Sequence, residues 1–120
     1  METIKFRLKG TAPCLMQSER LANPLDVLTK ELKAITSKRK KTDADHEELA
    51  RIEFKGSLYF DPQLGPYWPG QNIDRMFVDA AKLSKRGMDV KRAFMTVDDR
   101  VPLIYEGPRT IEGLYADKEN

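Results

Sequence analysis

Lys5, Arg7 and Lys9 occupy alternate positions near the start of a 120-residue chain. On an extended backbone such side chains share one face and repeat about every 7 Å, a row that can track the phosphates of one nucleic-acid strand. The same row also reads as a solvated face with scattered ion pairs. A second basic group, Lys38-Arg39-Lys40-Lys41, has the charge to hold a phosphate backbone at a loop. Its bland reading is a helix C-terminus, where cations are favoured, paired with Asp43, Asp45, Glu47 and Glu48 just downstream. The third group is Tyr67-Trp68-Pro69-Gly70, whose rings can stack bases or anchor a protein partner. The plainer reading of Trp68 is the plug that fixes its loop to the core.

Catalytic chemistry finds less to work with. His46 is the single histidine and Cys14 the single cysteine, with no local signature of a nucleophile pair. Asp43, Asp45 and Glu47 do not have the spacing of a calcium loop. Zinc spacings, a phosphate-binding glycine loop and a nucleophile elbow are all missing from the sequence. The expectation is a binding protein without catalytic residues, metal or cofactor. A metal-independent RNA cleavage by a loop acid or a tyrosine would leave little trace.

The elements that position these groups follow from periodicity. Ile4, Phe6 and Leu8 alternate with Lys5, Arg7 and Lys9, predicting a strand over 3–9, apolar on one face and basic on the other. Asn23-Pro24-Leu25-Asp26 reads as a helix start, with Leu25, Leu28, Leu32 and Ile35 on one stripe running to about Ser37. Thr42 and Asp45 mark a second helix start, and Gly56 its end. Residues 57–60 read as a short strand and 61–70 as a turn-rich loop. Ile73, Met76, Phe77, Ala80 and Ala81 make a third helical stripe, with Gly87 as its left-handed cap. Strands are predicted over 93–97 and 103–105, and an irregular tail from about 107 to 120.

The order β–α–α–β–α–β–β predicts one α+β domain over residues 1–120, a ferredoxin-like or RRM-like antiparallel or mixed sheet with helices on one face. Strand one would then be central, its basic face open. Net charge is only +2, so its distribution matters: residues 33–41 hold five cations and no acid, and 42–54 hold five acids against Arg51. One cysteine fits a reducing compartment. Met1 is followed by Glu2 and alternating charges rather than a leader pattern, and no apolar run reaches membrane-spanning length, so a cytoplasmic protein without a membrane partner is expected.

Several stretches carry a resemblance. Thr11-Ala-Pro-Cys-Leu-Met16, Ala22-Asn-Pro-Leu25, Ser37-Lys-Arg-Lys-Lys-Thr-Asp43, His46-Glu-Glu-Leu-Ala-Arg51 and Pro66 to Ile73 resemble a family of small uncharacterised bacteriophage and prophage proteins, across most of the chain. More distantly, Pro69-Gly70-Gln71-Asn72-Ile73-Asp74-Arg75 is similar to a segment of the RAMP superfamily, the RRM-fold backbone subunits of CRISPR effector complexes. That likeness implies that Gln71, Asn72 and Arg75 lie beside bound RNA. Two departures stand out: the glycine-rich C-terminal loop of many RAMP proteins has no counterpart here, and neither does the stacking-aromatic motif of RNA-binding RRM sheets. A shortened form, or one that completes its sheet with a partner, is implied.

Together these readings lead to a phage-type protein that binds single-stranded nucleic acid without catalysis, in the host-cell cytoplasm. Lys5, Arg7, Lys9, Lys38, Arg39, Lys40, Lys41, Gln71, Asn72 and Arg75 would form its path, with Tyr67 or Trp68 stacking a base. The alternative is a protein-interaction module that docks on a nucleoprotein complex of host defence (CRISPR-type) or replication, through Tyr67 and Trp68. An open sheet edge also allows a homo-oligomer or a partner subunit.

Overall fold

The computed structural model describes residues 2–117. The first helix, α1, spans Val27–Thr36 and begins three residues later than Asn23-Pro24 suggests. Asn23 closes a turn instead, its Oδ1 accepting the Leu25 N–H at 3.0 Å. Asp26 takes the N-cap, accepting the Leu28 N–H at 2.9 Å. Leu25 is therefore left exposed outside the helix, while Leu28 is buried and Leu32 and Ile35 are half-buried.

Helix α2, Asp43–Ser57, starts as its sequence dictates. Thr42 Oγ1 accepts the Asp45 N–H at 3.2 Å and Asp45 Oδ2 accepts the Thr42 N–H at 3.0 Å, a reciprocal capping box. Helix α2 packs on α1, and its Ile52 is buried. A 3-10 turn, Glu19–Ala22, packs on both helices, and the Thr29 hydroxyl inside them donates to the Arg20 carbonyl at 2.9 Å.

The segment 61–70, expected as loop, holds a hairpin. Strand β1, Phe60–Asp61, pairs antiparallel with β2, Gly65–Pro69, with Phe60 opposite Pro66 and Asp61 opposite Gly65. Asp61 Oδ1 builds the turn by accepting the N–H groups of Gln63 (2.8 Å) and Leu64 (3.1 Å), and Gly65 supplies the left-handed residue at φ 78°. Strand β3, Arg100–Pro102, pairs antiparallel with β2, Trp68 facing Val101, which gives a three-stranded sheet in the order β1-β2-β3. The strands expected over 93–97 and 103–105 give way to this single short one between them.

Helix α3, Gly70–Lys82, leaves β2 directly, and helix α4, Gly87–Ala93, follows a tight turn and packs back on α3. The sequence reading of Gly87 as a left-handed cap is corrected: Lys85 takes the left-handed conformation (φ 59°), and Gly87 opens α4, buried beside Lys82 and Val78. Helix α4 takes Ala93, and residues 94–97 join no strand of the sheet, so the strand predicted over 93–97 is corrected. The irregular tail is corrected too. Thr110 caps a short helix α5, Ile111–Ala116, its hydroxyl accepting the Gly113 N–H at 3.1 Å, and Tyr115 packs its ring on Phe54 at 5.4 Å. Residues 118–120 of that expected tail lie outside the described residues.

The largest correction concerns the first strand. Residues 2–10 form no strand. They run as an arm with Ile4, Phe6 and Leu8 exposed at 77%, 55% and 52%. The alternation is present but no neighbouring backbone pairs with it, so the central basic strand of an RRM-like sheet is not built. What stands is a small α+β fold with a three-stranded antiparallel sheet and packed helices.

Candidate nucleic-acid interface

The β2–α3 junction positions a polar cleft. Gly70 follows Pro69 without a loop and passes tightly against β3: its N–H donates to the Asp99 carbonyl at 2.8 Å, and a Cβ there would sit 2.3 Å from the Asp98 carbonyl oxygen. Such an approach admits only glycine. It sets the first turn of α3, carrying Gln71 and Asn72, at the rim of a cleft of about 500 Å³. Arg20, Lys55, Tyr59, Tyr67, Asp99 and Arg100 are among the other side chains lining it. Pro69 provides no side-chain cap, so the first N–H groups of α3 have no capping side chain.

Aromatic and cationic groups are held together here. Tyr59 contacts both Tyr67 and Trp68 with ring centroids 5.9 Å apart, and the Tyr59 hydroxyl donates to the Gln17 carbonyl at 3.3 Å. The Arg100 guanidinium lies 5.2 Å from the centre of the Tyr67 ring and forms an ion pair with Asp61. The backbone N–H groups of Gln63 and Leu64, and then Arg100, hold the Asp61 carboxyl below its ordinary value. Arg20 pairs with Asp26 at 3.2 Å, and Asp26 is held low first by the Leu28 N–H and then by Arg20. Two of the three cleft cations thus have carboxylate partners. The cleft is mixed and polar, fit to hold a planar ring beside an amide or phosphate group, and its charge is modest.

The sequence-predicted residues divide between places. Tyr67, Gln71 and Asn72 come together in the cleft. Trp68, next along β2, is half-buried against Tyr59 and is not part of the lining. Arg75 extends from the exposed side of α3 and is held by Asp79 at 3.0 Å. Lys38 is held by Asp45 at 2.9 Å and Lys41 donates to the Lys38 carbonyl at 3.3 Å, while Arg39 and Lys40 are exposed at the α1–α2 connection. That connection lies at the opposite end of α2 from Lys55, about 20 Å away along the helix. Lys5, Arg7 and Lys9 belong to the arm rather than to a sheet face. His46 is exposed on α2 and Cys14 on the segment following the arm.

Sequence reasoning singled out neither Arg20, Lys55 nor Arg100. No periodicity marks Arg20, Lys55 is one cation at the end of an acidic helix, and Arg100 follows Asp98-Asp99. Comparisons with protein-family models, with curated proteins and with solved structures find no match for this chain. Among the described residues, no helix is long and apolar enough to cross a membrane, and no cluster of three or more His, Cys, Asp or Glu side chains could hold a metal ion.

Proposed function

We propose that the protein is a non-catalytic binding module that covers much of its surface against other components of an assembly. One observation carries this reading. The chain exposes 10146 Å², whereas a compact monomer of 13.8 kDa exposes about 6,600 Å². Its large hydrophobic side chains agree: Leu28 and Ile52 are buried, while thirteen others, from Ile4 to Ile104, are exposed. The excess of about 3,500 Å² is more than one partner contributes to most permanent subunit interfaces, which bury about 2,000–5,000 Å² counted over both partners. A ferredoxin-like or RRM-like sheet would need the 3–9 arm as a further strand, and a partner would be needed to order it. A nucleic-acid-handling complex of a phage or its host, the class the sequence resemblance implies, is the assembly we favour.

Cross-linking mass spectrometry on complexes recovered from the cells that make the protein tests this. Cross-links from Lys5, Lys9, Lys85 or Lys91 to another chain are expected. Cross-links confined within single molecules would overturn the reading.

The cleft favours a second role within the same assembly: contact with a single nucleic-acid strand at Tyr67, Gln71 and Asn72. The grouping of rings, amides and Arg100 supports it, since stacking and amide hydrogen bonds are the sequence-tolerant and base-reading elements of strand recognition. Anisotropy with labelled single-stranded RNA and DNA at low and physiological salt is the check. Binding that weakens only shallowly with salt is expected, since Lys55 is the one cleft cation without a carboxylate partner among the described residues, and no binding at low salt would remove this role while leaving the first untouched.

A further inference from the structure

The arm, α3 and α4 together carry an uncovered apolar surface with an electrostatic sign. The Phe6 ring meets Phe77 at 5.7 Å and Phe77 meets Phe94 at 4.8 Å, so three aromatic rings join the arm to the helix pair. On these elements and their flanks Met76, Leu83, Met88 and Met95 are exposed, Met88 at 58%. Methionine is unbranched and polarisable, the side chain of surfaces that adapt to another helix.

The charges around this surface are lopsided. Every acid of the helix pair is engaged: Asp74 accepts from Thr96 N–H and Oγ1–H at 2.7 and 2.6 Å, Asp79 holds Arg75 and Lys82, and Asp89 holds Arg86 at 3.4 Å. The arm adds one acid, the exposed Glu2, to its three cations. Lys5, Arg7, Lys9, Lys85, Lys91 and Arg92 have no carboxylate partner among the described residues. A second copy packed face to face across a two-fold axis would set these six cations against their own kind. Phosphates would satisfy the cations and leave the methionines and Leu83 uncovered.

We propose that the surface formed by the arm, α3 and α4 binds an acidic amphipathic helix, apolar residues seated on the methionines and phenylalanines and carboxylates facing the six free cations. The proposal rests on the assembly reading above and names the chemistry of the partner. Helix-in-groove docking supplies the apolar anchors, and the charges supply steering and orientation.

The test uses the full chain and a labelled synthetic helical peptide of about 18 residues, with leucine at i, i+3, i+4 and i+7 and glutamate elsewhere. Its counterpart carries lysine for every glutamate. Binding of the glutamate peptide is expected to be at least about tenfold tighter than that of the lysine peptide, weakened by Met88→Glu and by the pair Lys91→Glu and Arg92→Glu. These positions are exposed, so circular dichroism should show the variants folded. Equal binding of the two peptides, or none, overturns the proposal. So does binding of single-stranded RNA or of phosphatidylserine vesicles that Met88→Glu removes. Self-association abolished by Met88→Glu, without peptide binding, would make a second copy the occupant, overturning the proposal while the assembly reading survives. Loss of both the peptide signal and the intermolecular cross-links would remove the two readings together.

Discussion

The ring of Phe6 meets the ring of Phe77 edge-on, with planes at 85° and centroids 5.7 Å apart. The contact ties the 2–10 arm, which has no strand partner, to the middle of α3. Edge-to-face pairs add about 0.5–1.5 kcal/mol, enough to bias the arm's position but too little to order nine residues against their conformational entropy. Phe6→Ala should therefore release the arm with little change in melting temperature. Limited proteolysis should then cut within residues 2–17 faster than in the parent chain. A large drop in melting temperature would show the arm to be part of the core.

The capping box of α2 gives a prediction of stability. Thr42→Ala should cost about 1 kcal/mol, read by urea titration. An unchanged midpoint would deny the reciprocal bonds between Thr42 and Asp45.

The same box sets an acid limit. The Thr42 N–H, and then Lys38, hold Asp45 below its ordinary value of 3.8. The folded state thus favours the charged carboxylate, so this contribution is whole above that value and fades as pH falls through the lower folded one. Asp26, Asp61 and Asp79 shift the same way. Thermal melts from neutral to strongly acidic pH should show stability falling at the acid end, with Asp45→Asn flattening part of the fall. A curve for that variant parallel to the parent's would contradict this coupling.

Much of this was legible where signal and partner are close in sequence. Thr42 and Asp45 announce their own helix, and the Ile73–Ala81 stripe announces α3. Where the outcome depends on distant pairing, periodicity was a poor guide. Residues 3–9 alternate as a strand must, yet alternation names a face and not a neighbour, and no open edge meets them. Asn23-Pro24 lost the cap to Asp26 because both can accept a helix N–H and the Asn23 oxygen was taken by Leu25. Gly87 misled because Lys85 takes the left-handed turn. In the cleft, Tyr67 was readable by its type, whereas Gln71 and Asn72 were singled out only by the family resemblance. Arg20, Lys55 and Arg100 arrive there through tertiary packing, which leaves no mark on their neighbours.

Gly70 should be irreplaceable. A Cβ at 2.3 Å from the Asp98 carbonyl oxygen forces β3 away from α3. Gly70→Ala should cost about 2–3 kcal/mol and open the cleft between Gln71 and Arg100. Denaturant titration measures the first effect, and an unaltered midpoint would contradict the close packing of this junction.

If the cleft holds a nucleic-acid strand, its ring matters more than the basic run. Tyr67→Ala should weaken binding by about 1–3 kcal/mol, and Lys40→Ala, beyond the far end of α2, should leave affinity nearly unchanged at physiological salt. The reverse order in anisotropy titrations would move the interface to the α1–α2 connection.

The most direct test of the central claim is small-angle X-ray scattering of the isolated chain at low concentration. The account predicts an open particle with a radius of gyration near 17.9 Å, its apolar faces uncovered until a partner arrives. A monomer near 14 Å, about the value for a compact domain of this length, would mean that the chain buries those faces on its own, contradicting the claim that other components cover them.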